Sequence, residues 1–293
     1  MDFEKWQALG NDYLILERER MPFELTPQRV RLLCARSFGV FADGVLLLSR
    51  SADPGIVAEL RIYNPDGSEA ELSGNGAREA ILYLHRHGWT DRDVFSIETA
   101  AGVLTPTITG PDTCRVDMGK AALTSRDFPT GPPDGRGELT VDGLVWDFQH
   151  VSIGNPQCAI HVEDVVTLQA LDLPAIGPGI EGHALFPNRT NVSWYTEIES
   201  APADPPGSER IRARIFERGV GETLSSGTGA TGAAVARVRE SGGPPRTMLV
   251  ALDGGELQVE VGEDLRIHLT GWAQPVFAGS LSAEFIEELA ETQ

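Results

Sequence analysis

Two stretches decide the fold: EAELSGNGAREAILYLH at residues 69–85 and ETLSSGTGATGAAVARV at residues 222–238. Ser73-Gly74-Asn75-Gly76-Ala77 in the first recurs as Ser226-Gly227-Thr228-Gly229-Ala230 in the second, at an offset of 153 residues (226 − 73). A glutamate stands four residues before each serine (Glu69 and Glu222), and each copy runs into an alanine-bearing apolar helical pattern. Serine is a preferred helix N-cap, and glycines behind it let the backbone approach a ligand. The start of a helix carries unpaired N–H groups and a partial positive charge, so it accepts anions. Two such starts serving one site would grip a carboxylate from both sides. They would also stabilise the charge that develops when the proton beside it is removed. One Ser-Gly-x-Gly alone is equally a tight turn capped by serine; its recurrence in matching context favours the anion site. The pattern lacks the Gly-Lys-Ser/Thr of a P-loop and the spacing of a dinucleotide-binding turn, so no nucleotide is implied.

A second echo pairs Gly10-Asn11-Asp12 with Gly154-Asn155-Pro156, at an offset of 144 residues (154 − 10), each just before an apolar run. Around these lie short segments that predict strands: DYLILE, GVLLLS, AELRIYN, FSIETA, CAIHVE, NVSWYTEI, IRARIFE, ELQVEV and RIHLTG. Helical patterns are fewer. TPQRVRLLCARS has Thr26 as N-cap and Pro27 at the first helical position, two more follow the Gly-rich loops, and SAEFIEELAETQ is capped by Ser282. The Pro/Gly-rich segment PTGPPDGRGELTVDG (residues 129–143) reads as a break, and APADPPG (201–207) and SGGPP (241–245) read as surface loops. The expected class is α+β: two similar domains facing each other, each a sheet wrapped around a helix.

With 293 residues, 41% hydrophobic and 23% charged, the chain is globular in composition and long enough for two domains. Lys+Arg 24 against Asp+Glu 43 gives a net charge of −19, which repels phosphate backbones and anionic lipid and argues against nucleic-acid and membrane partners. Three widely spaced cysteines (Cys34, Cys114, Cys158) with no C-x-x-C argue against a disulfide scaffold or a zinc site. The six histidines (85, 87, 150, 161, 183 and 268) show no metal-ligand spacing, so no metal is expected. The N-terminus carries Asp2 and Glu4 without an apolar core, and no stretch approaches the roughly 20 apolar residues of a membrane helix, so the expectation is a soluble, cytoplasmic chain. Without an export signal, the glycosylation sequons at Asn188 and Asn191 read as chance.

Six ordered segments resemble the diaminopimelate epimerase family of cofactor-independent amino-acid racemases and epimerases. They are LGNDYLIL from Leu9, FADG from Phe41, YNPDGSEAELSGNGAR from Tyr63, VSIGNPQC from Val151, FPNRTNVSW from Phe186 and ERGVGETLSSGTGATGAAVA from Glu217. The resemblance implies two pseudo-symmetric domains, each a β-barrel-like sheet around a central helix, with the active site between them. Residues 1–121, completed by 277–293, would form the first domain and residues 122–276 the second. The implied activity is interconversion of LL- and meso-diaminopimelate, on the route to lysine and peptidoglycan precursors. Neither pyridoxal phosphate nor a metal is implied as cofactor, and a homodimer is a common state of the family. A small, diaminopimelate-like amino acid is the implied partner. Its α-carboxylate would sit on the amides around Gly74, Asn75, Gly227 and Thr228. Its far end would be held by Asn11, Asn64, Asn155, Asn191, Glu217 and Arg218.

In that family two cysteines flank the substrate α-carbon, one removing a proton while the other delivers one. Thiols suit this work because their reference pKa of about 8.5 keeps both protonation states accessible. Here the resemblance places Ser73 and Ser226 at those positions, and Gln157 where the family carries a histidine that supports the acid–base pair. A serine hydroxyl is a far weaker acid and needs a neighbouring base. Ordinary two-thiol racemisation is therefore expected to be impaired, with Ser73, Ser226 and Glu217 as the catalytic candidates. Engineered Cys→Ser changes are disfavoured, because the third departure at Gln157 would be superfluous. A thiol-free branch doing one-base chemistry, as in the phenazine-pathway isomerase of the same fold, and a catalytically silent amino-acid binder both stay open. Glu69 and Glu222 are further base candidates, each equally readable as a surface or capping carboxylate. Asp43 and Asp66 read as structural, the three cysteines as packing residues, and Arg78 as either an anion-binding or a surface arginine.

Overall fold

The structure is a computed structural model and describes residues 1–242 and 246–292; the end of the expected 241–245 loop, Gly243 to Pro245, lies outside the described residues. The chain divides into two compact units, Met1–Val116 together with the stretch from Gly271 onward, and Asp117–Thr270. In chain order the elements are β1 (Asp2–Ala8), β2 (Asn11–Glu17), α1 (Pro27–Cys34), β3 (Val45–Ser49), β4 (Ala58–Tyr63), β5 (Glu69–Ala70), α2 (Gly74–Arg86), β6 (Ile97–Thr99), β7 (Gly102–Leu104), β8 (Thr107–Gly110) and β9 (Thr113–Lys120). The second unit continues with β10 (Arg136–Val141), β11 (Leu144–Ser152), β12 (Pro156–His161), α3 (Val165–Ala170), α4 (Leu173–Glu181), β13 (Asn191–Ile198), β14 (Glu209–Glu217), β15 (Gly221–Thr223), α5 (Gly227–Ser241), β16 (Arg246–Leu252), β17 (Gly255–Val261) and β18 (Arg266–Trp272). β19 (Gln274–Ser280) and α6 (Ala283–Glu291) return to the first unit.

The first unit is built on a sheet in the order β19-β1-β2-β3-β4-β6-β7, with β5 paired to β4. Its parallel pairs are β2·β3 and β4·β6, and the crossovers that parallel pairing requires are supplied by α1 and α2. The run VLLLS of β3 is apolar almost throughout because helices cover both faces. Val45 and Leu47 pack with Val30, Leu33 and Cys34 of α1 and Leu289 of α6. Leu46 meets α2 on the other face, where Gly76 leaves it room.

The second unit repeats this plan in a sheet of order β10-β11-β12-β13-β14-β16-β17-β18, with β15 paired to β14. Here β12·β13 and β14·β16 are parallel, bridged by α3 with α4 and by α5 respectively. Leu168 of α3 and Leu173 and Ile180 of α4 cover one face of the sheet with Cys158, Ile160, Val192 and Trp194. On the other face β11, β12, β13, β14, β16 and β17 all touch α5. Its Gly229, Ala230, Ala233, Ala234 and Ala236 are buried, which makes the helix slim enough for a sheet to close around it.

The expected strands and the four expected helices are all present, and Thr26, Ser73, Ser226 and Ser282 each accept a backbone N–H as N-cap. One reading is corrected. The Pro/Gly-rich segment 129–143 is not a plain break, because Arg136–Val141 forms β10 and closes onto β11 through Asp142 and Gly143. Both turn residues have positive φ (51° and 79°), the conformation a two-residue hairpin demands. Helices α3 and α4 were not foreseen: Pro174, Gly177, Pro178 and Gly179 hide a pattern that Asp164 and Asp172 start as N-caps.

Candidate active site

In the first unit, β4 and β5 form a hairpin around Asn64-Pro65-Asp66-Gly67, with Gly67 at φ +86°. Asp66 accepts from the Ser68 N–H (2.8 Å) and hydroxyl (2.6 Å), and the Asn64 amide donates to Ser68 Oγ at 2.9 Å. Across the hairpin Arg61 grips Glu69 with two bonds of 2.9 and 2.7 Å. The chain then reaches Ser73, whose extended backbone turns into α2. Ser73 Oγ accepts from the Gly76 N–H at 3.1 Å and from the Tyr13 hydroxyl at 3.3 Å. Gly10, at φ +85°, turns the chain from β1 into β2 and brings Asn11 to the same helix start. There the Asn75 amide donates to Asn11 Oδ1 (3.2 Å), and the Asn11 amide donates to Asp43 (2.8 Å). Arg78 donates to Asn75 Oδ1 (2.6 Å) and to the Gly74 carbonyl (3.0 Å). It is wholly buried, and burial lowers its pKa, so the surface reading of Arg78 is corrected: it is an internal tie that shapes the first turn of α2.

The second unit reproduces the frame. Arg214 of β14 grips Glu222 of β15 through Nε (2.9 Å) and Nη2 (2.6 Å). Its Nη1 also donates to the carbonyls of Leu168 (3.0 Å) and Leu171 (2.9 Å) at the end of α3. Ser226 caps α5, accepting from the Gly229 N–H at 3.3 Å, and donates its own proton to Glu217 Oε2 at 2.9 Å. The Thr223 hydroxyl donates to the other Glu217 oxygen at 2.8 Å. Burial pushes the Glu217 carboxyl above its ordinary range, and the bonds from Thr223 and Ser226 pull partly the other way.

Gly154, at φ +85° like Gly10, presents Asn155, whose amide donates to Thr228 Oγ1 at 3.3 Å. Gln157 donates to Asn155 Oδ1 at 2.7 Å. Gln157 is fully buried and its Oε1 meets no donor. Gly232, one turn into α5, keeps space for it, since a Cβ there would lie 2.8 Å from Gln157 Cβ. Asn191 is buried as a clamp: Oδ1 accepts from the Arg218 N–H (2.9 Å) and Nδ2 donates to the Pro156 carbonyl (3.1 Å). Arg218 is exposed and donates to the Asn188 carbonyl at 2.9 Å.

Of the residues singled out in the sequence, Asn11, Asn75 and Arg78 gather near Ser73 at the start of α2, and Asn155, Gln157, Glu217 and Thr228 near Ser226 at the start of α5. Asn64 and Asp66 bond within the β4–β5 hairpin, and Asn191 and Arg218 bond each other, Pro156 and Asn188. Glu69 and Glu222 stand apart as well. Each is held by the arginine eight residues before it, so both are hairpin anchors rather than free bases. Tyr13 and Thr223 went unread, although Tyr13 stands in the Gly10 echo at the place Gln157 takes in the other. The two units also differ beside the serines. The position equivalent to Glu217 at the 153-residue offset is Asn64.

All three cysteines are buried and free of disulfides. Burial pushes the Cys34 and Cys114 thiols up to about 12 and raises Cys158 as well. Among the described residues one group, His161, Glu197 and Glu240, brings possible metal-ligating atoms within 4.8 Å of one another, a gathering across β12, β13 and α5 that sequence spacing did not reveal. These groups satisfy each other: His161 Nε2 lies 2.8 Å from Glu197, which also pairs with Arg237 at 3.0 Å. A cavity of about 380 Å³ in the first unit is lined by Tyr83 and His87 at the far end of α2 from Ser73 and contains none of the expected site residues. No helix among the described residues is long and apolar enough to cross a membrane.

A sequence model of the diaminopimelate epimerase family matches residues 3–124 and 149–276. The chain is 41% identical to a diaminopimelate epimerase of Desulfitobacterium hafniense, covering 96% of this chain and 98% of that one. It is 37% identical to diaminopimelate epimerase 2 of a Nostoc species, over 97% and 96% of the two chains. Among solved structures it is similar to a phenazine biosynthesis protein of the PhzF family from Bacillus anthracis (TM-score 0.69, 16% identity, covering 96% of this chain and 99% of that one). It is also similar to a probable proline racemase from Agrobacterium radiobacter (TM-score 0.65, 15% identity, covering 96% and 93%). At such identities these two speak for the shared fold alone. The matches to the family itself run through both units over nearly the whole chain, and the chain belongs to the diaminopimelate epimerase family of epimerase- and racemase-type isomerases.

Proposed function

We propose that the chain is a cofactor-independent isomerase of diaminopimelate or a closely similar amino acid in which hydroxyls stand where the family uses thiols. The observation that carries this reading is the Ser226–Glu217 pair: a cap hydroxyl donating at 2.9 Å to a carboxylate whose burial makes it a stronger base. Each unit supplies one serine to turnover, Ser73 or Ser226. Each also supplies helix-start amides for the α-carboxylate, at Gly74 and Asn75 or at Gly227 and Thr228. Asn11, Asn64, Asn155, Asn191 and Arg218 recognise the far amino-carboxylate end, and Gln157 holds Asn155 in place. The weak acidity of serine makes turnover slower than a thiol pair would give.

A second reading is favoured by the same observation. Among the described residues Ser226 hydrogen-bonds a carboxylate and Ser73 a phenol, which suits one-base proton exchange or a proton shift on a related substrate.

Incubation in D₂O with LL- and with meso-diaminopimelate, followed by NMR of the α-proton, separates the readings. Exchange with inversion supports the epimerase, and exchange without inversion supports one-base chemistry. Absence of exchange with saturable calorimetric binding would leave a silent binder. If only the thiols are missing, Ser73→Cys combined with Ser226→Cys raises the epimerisation rate. A folded double variant that remains slow puts the limit at Gln157 or in an altered pocket.

A further inference from the structure

We propose that Tyr13 is a positioning residue that makes Ser73 the proton-donating side of the reaction, opposite in role to Ser226. The inference rests on the isomerase reading above. The two cap serines are bonded in opposite senses. Ser226 gives its proton to Glu217, so its oxygen is ready to take a proton as the carboxylate accepts the one it holds. Ser73 Oγ instead accepts twice, from the Gly76 N–H at 3.1 Å and the Tyr13 hydroxyl at 3.3 Å. Two donors on the oxygen leave its own proton directed elsewhere and stabilise the negative charge left when that proton departs.

The packing around Tyr13 serves this contact. Its ring is buried between two glycines. A Cβ at Gly44 would lie 2.6 Å from Tyr13 Cε1, and one at Gly76 would lie 3.4 Å from Cε2. Gly76 is also the residue whose N–H shares Ser73 Oγ, so ring, cap and helix start form one packed unit. The repeat adds a second argument. Tyr13 takes the place in the Gly10 echo that Gln157 takes in the Gly154 echo, and Asn64 takes the place of Glu217. Each serine therefore hydrogen-bonds an ionisable side chain drawn from a different position of the duplicated pattern.

The protons balance. On abstraction, the substrate C–H bond breaks, Ser226 Oγ takes the proton and its former hydroxyl proton passes to Glu217. On return, the Ser73 O–H breaks, its proton bonds to the carbanion, and the Tyr13 phenol proton replaces it on Ser73. Glu217 ends protonated and Tyr13 ends as phenolate, and exchange of one proton with solvent at each resets them.

The test is Tyr13→Phe, read as the ratio of α-proton exchange to inversion in D₂O for the diaminopimelate isomer that exchanges faster. Abstraction by Ser226 is untouched while return from Ser73 slows. The ratio is therefore expected to rise at least tenfold with KM unchanged. An unchanged ratio, with or without a fall in kcat, overturns the proposal and leaves the isomerase reading standing. Absence of exchange in the unmodified protein overturns both. If Tyr13→Phe does not fold, 3-fluorotyrosine at position 13 keeps the shape and strengthens the acid. The ratio must then fall, and a constant or rising ratio overturns the proposal.

Discussion

The duplicated hairpin offers a matched experiment. Arg61 and Arg214 stand at equivalent places and grip equivalent glutamates, yet their surroundings differ. Arg61 is 55% exposed in its side chain, ties Glu69 and lies 5.2 Å from the centre of the Tyr63 ring. Arg214 is 14% exposed and adds the Leu168 and Leu171 carbonyls to its bond with Glu222. Arg61→Met removes an exposed pair and is expected to cost under about 1 kcal/mol. Arg214→Met removes charge-assisted bonds of about 1.5–3 kcal/mol each and leaves half-buried carbonyls without a donor; some screening remains, so the expected loss is about 2–3 kcal/mol. The loss falls on β15, which carries Thr223 toward Glu217, and on the turn that delivers Ser226. Hydrogen exchange read by mass spectrometry is the suitable assay because it reports opening segment by segment in a chain that need not unfold in one step. Peptides spanning β15 and the first turn of α5 should lose protection in Arg214→Met, whereas those spanning β5 and the first turn of α2 should change little in Arg61→Met. Equal losses in the two units would refute the reasoning, as would unchanged protection of β15.

Three further outcomes are expected. Native protein at pH 8 should resist iodoacetamide and keep its activity, because burial holds the thiols of Cys34 and Cys114 up at about 12 and the thiolate is the reactive form; alkylation of the folded chain, followed by mass spectrometry, would contradict this. Glu217 has a raised carboxyl pKa in the fold, so its contribution to stability is complete below the ordinary carboxyl range and is lost as pH rises through the folded value. Urea midpoints between pH 4 and pH 8 should therefore move in favour of Glu217→Gln relative to the parent as pH rises, while α-proton exchange from Ser226 disappears; a gap that does not grow with pH would count against the buried base. Thr223→Val removes one of the two donors that hold Glu217 ionised, so the acid limb of the pH–rate profile should move to higher pH, and an unmoved limb would deny the contact a role.

The parts of the fold that depend on local signals were legible. Serine caps, a proline at the first turn of α1 and alternating apolar runs are written within a few residues, and the structure places them as read. What escaped depends on tertiary partners. In β10 the strand is disguised by Pro132, Pro133 and Gly135 just before it, and only pairing with β11 makes it a strand. In α4 the glycines that look like breakers let the helix lie against Phe216, whose ring a Cβ at Gly177 would strike at 2.6 Å. At the site, the residue types were visible but their bonds were not. Glu69 and Glu222 resemble free carboxylates in the sequence because their arginines lie eight residues away across a hairpin. Tyr13 reads as core, and only the approach of β2 to the start of α2 reveals that its hydroxyl reaches a cap serine.

Charge explains why the repeat was kept in its frame and altered beside its serines. A helix start carries about half a positive charge, so each serine-capped start favours an anion close to it. Glu217 already adds one carboxylate beside Ser226, held down by hydroxyl donors but raised by burial. A second glutamate at the equivalent position, where Asn64 stands, would set a like charge against an anion held at the start of α2, and close like charges disfavour ionisation of both. A phenol avoids that cost. Tyr13 can lend a proton to Ser73 while staying neutral at rest, so it polarises the serine without repelling the substrate. Duplication alone would give two equivalent serines with no preferred direction for the proton. On the proposed reading, glutamate beside one and tyrosine beside the other give the two serines opposite resting roles, one ready to take a proton and one ready to give it.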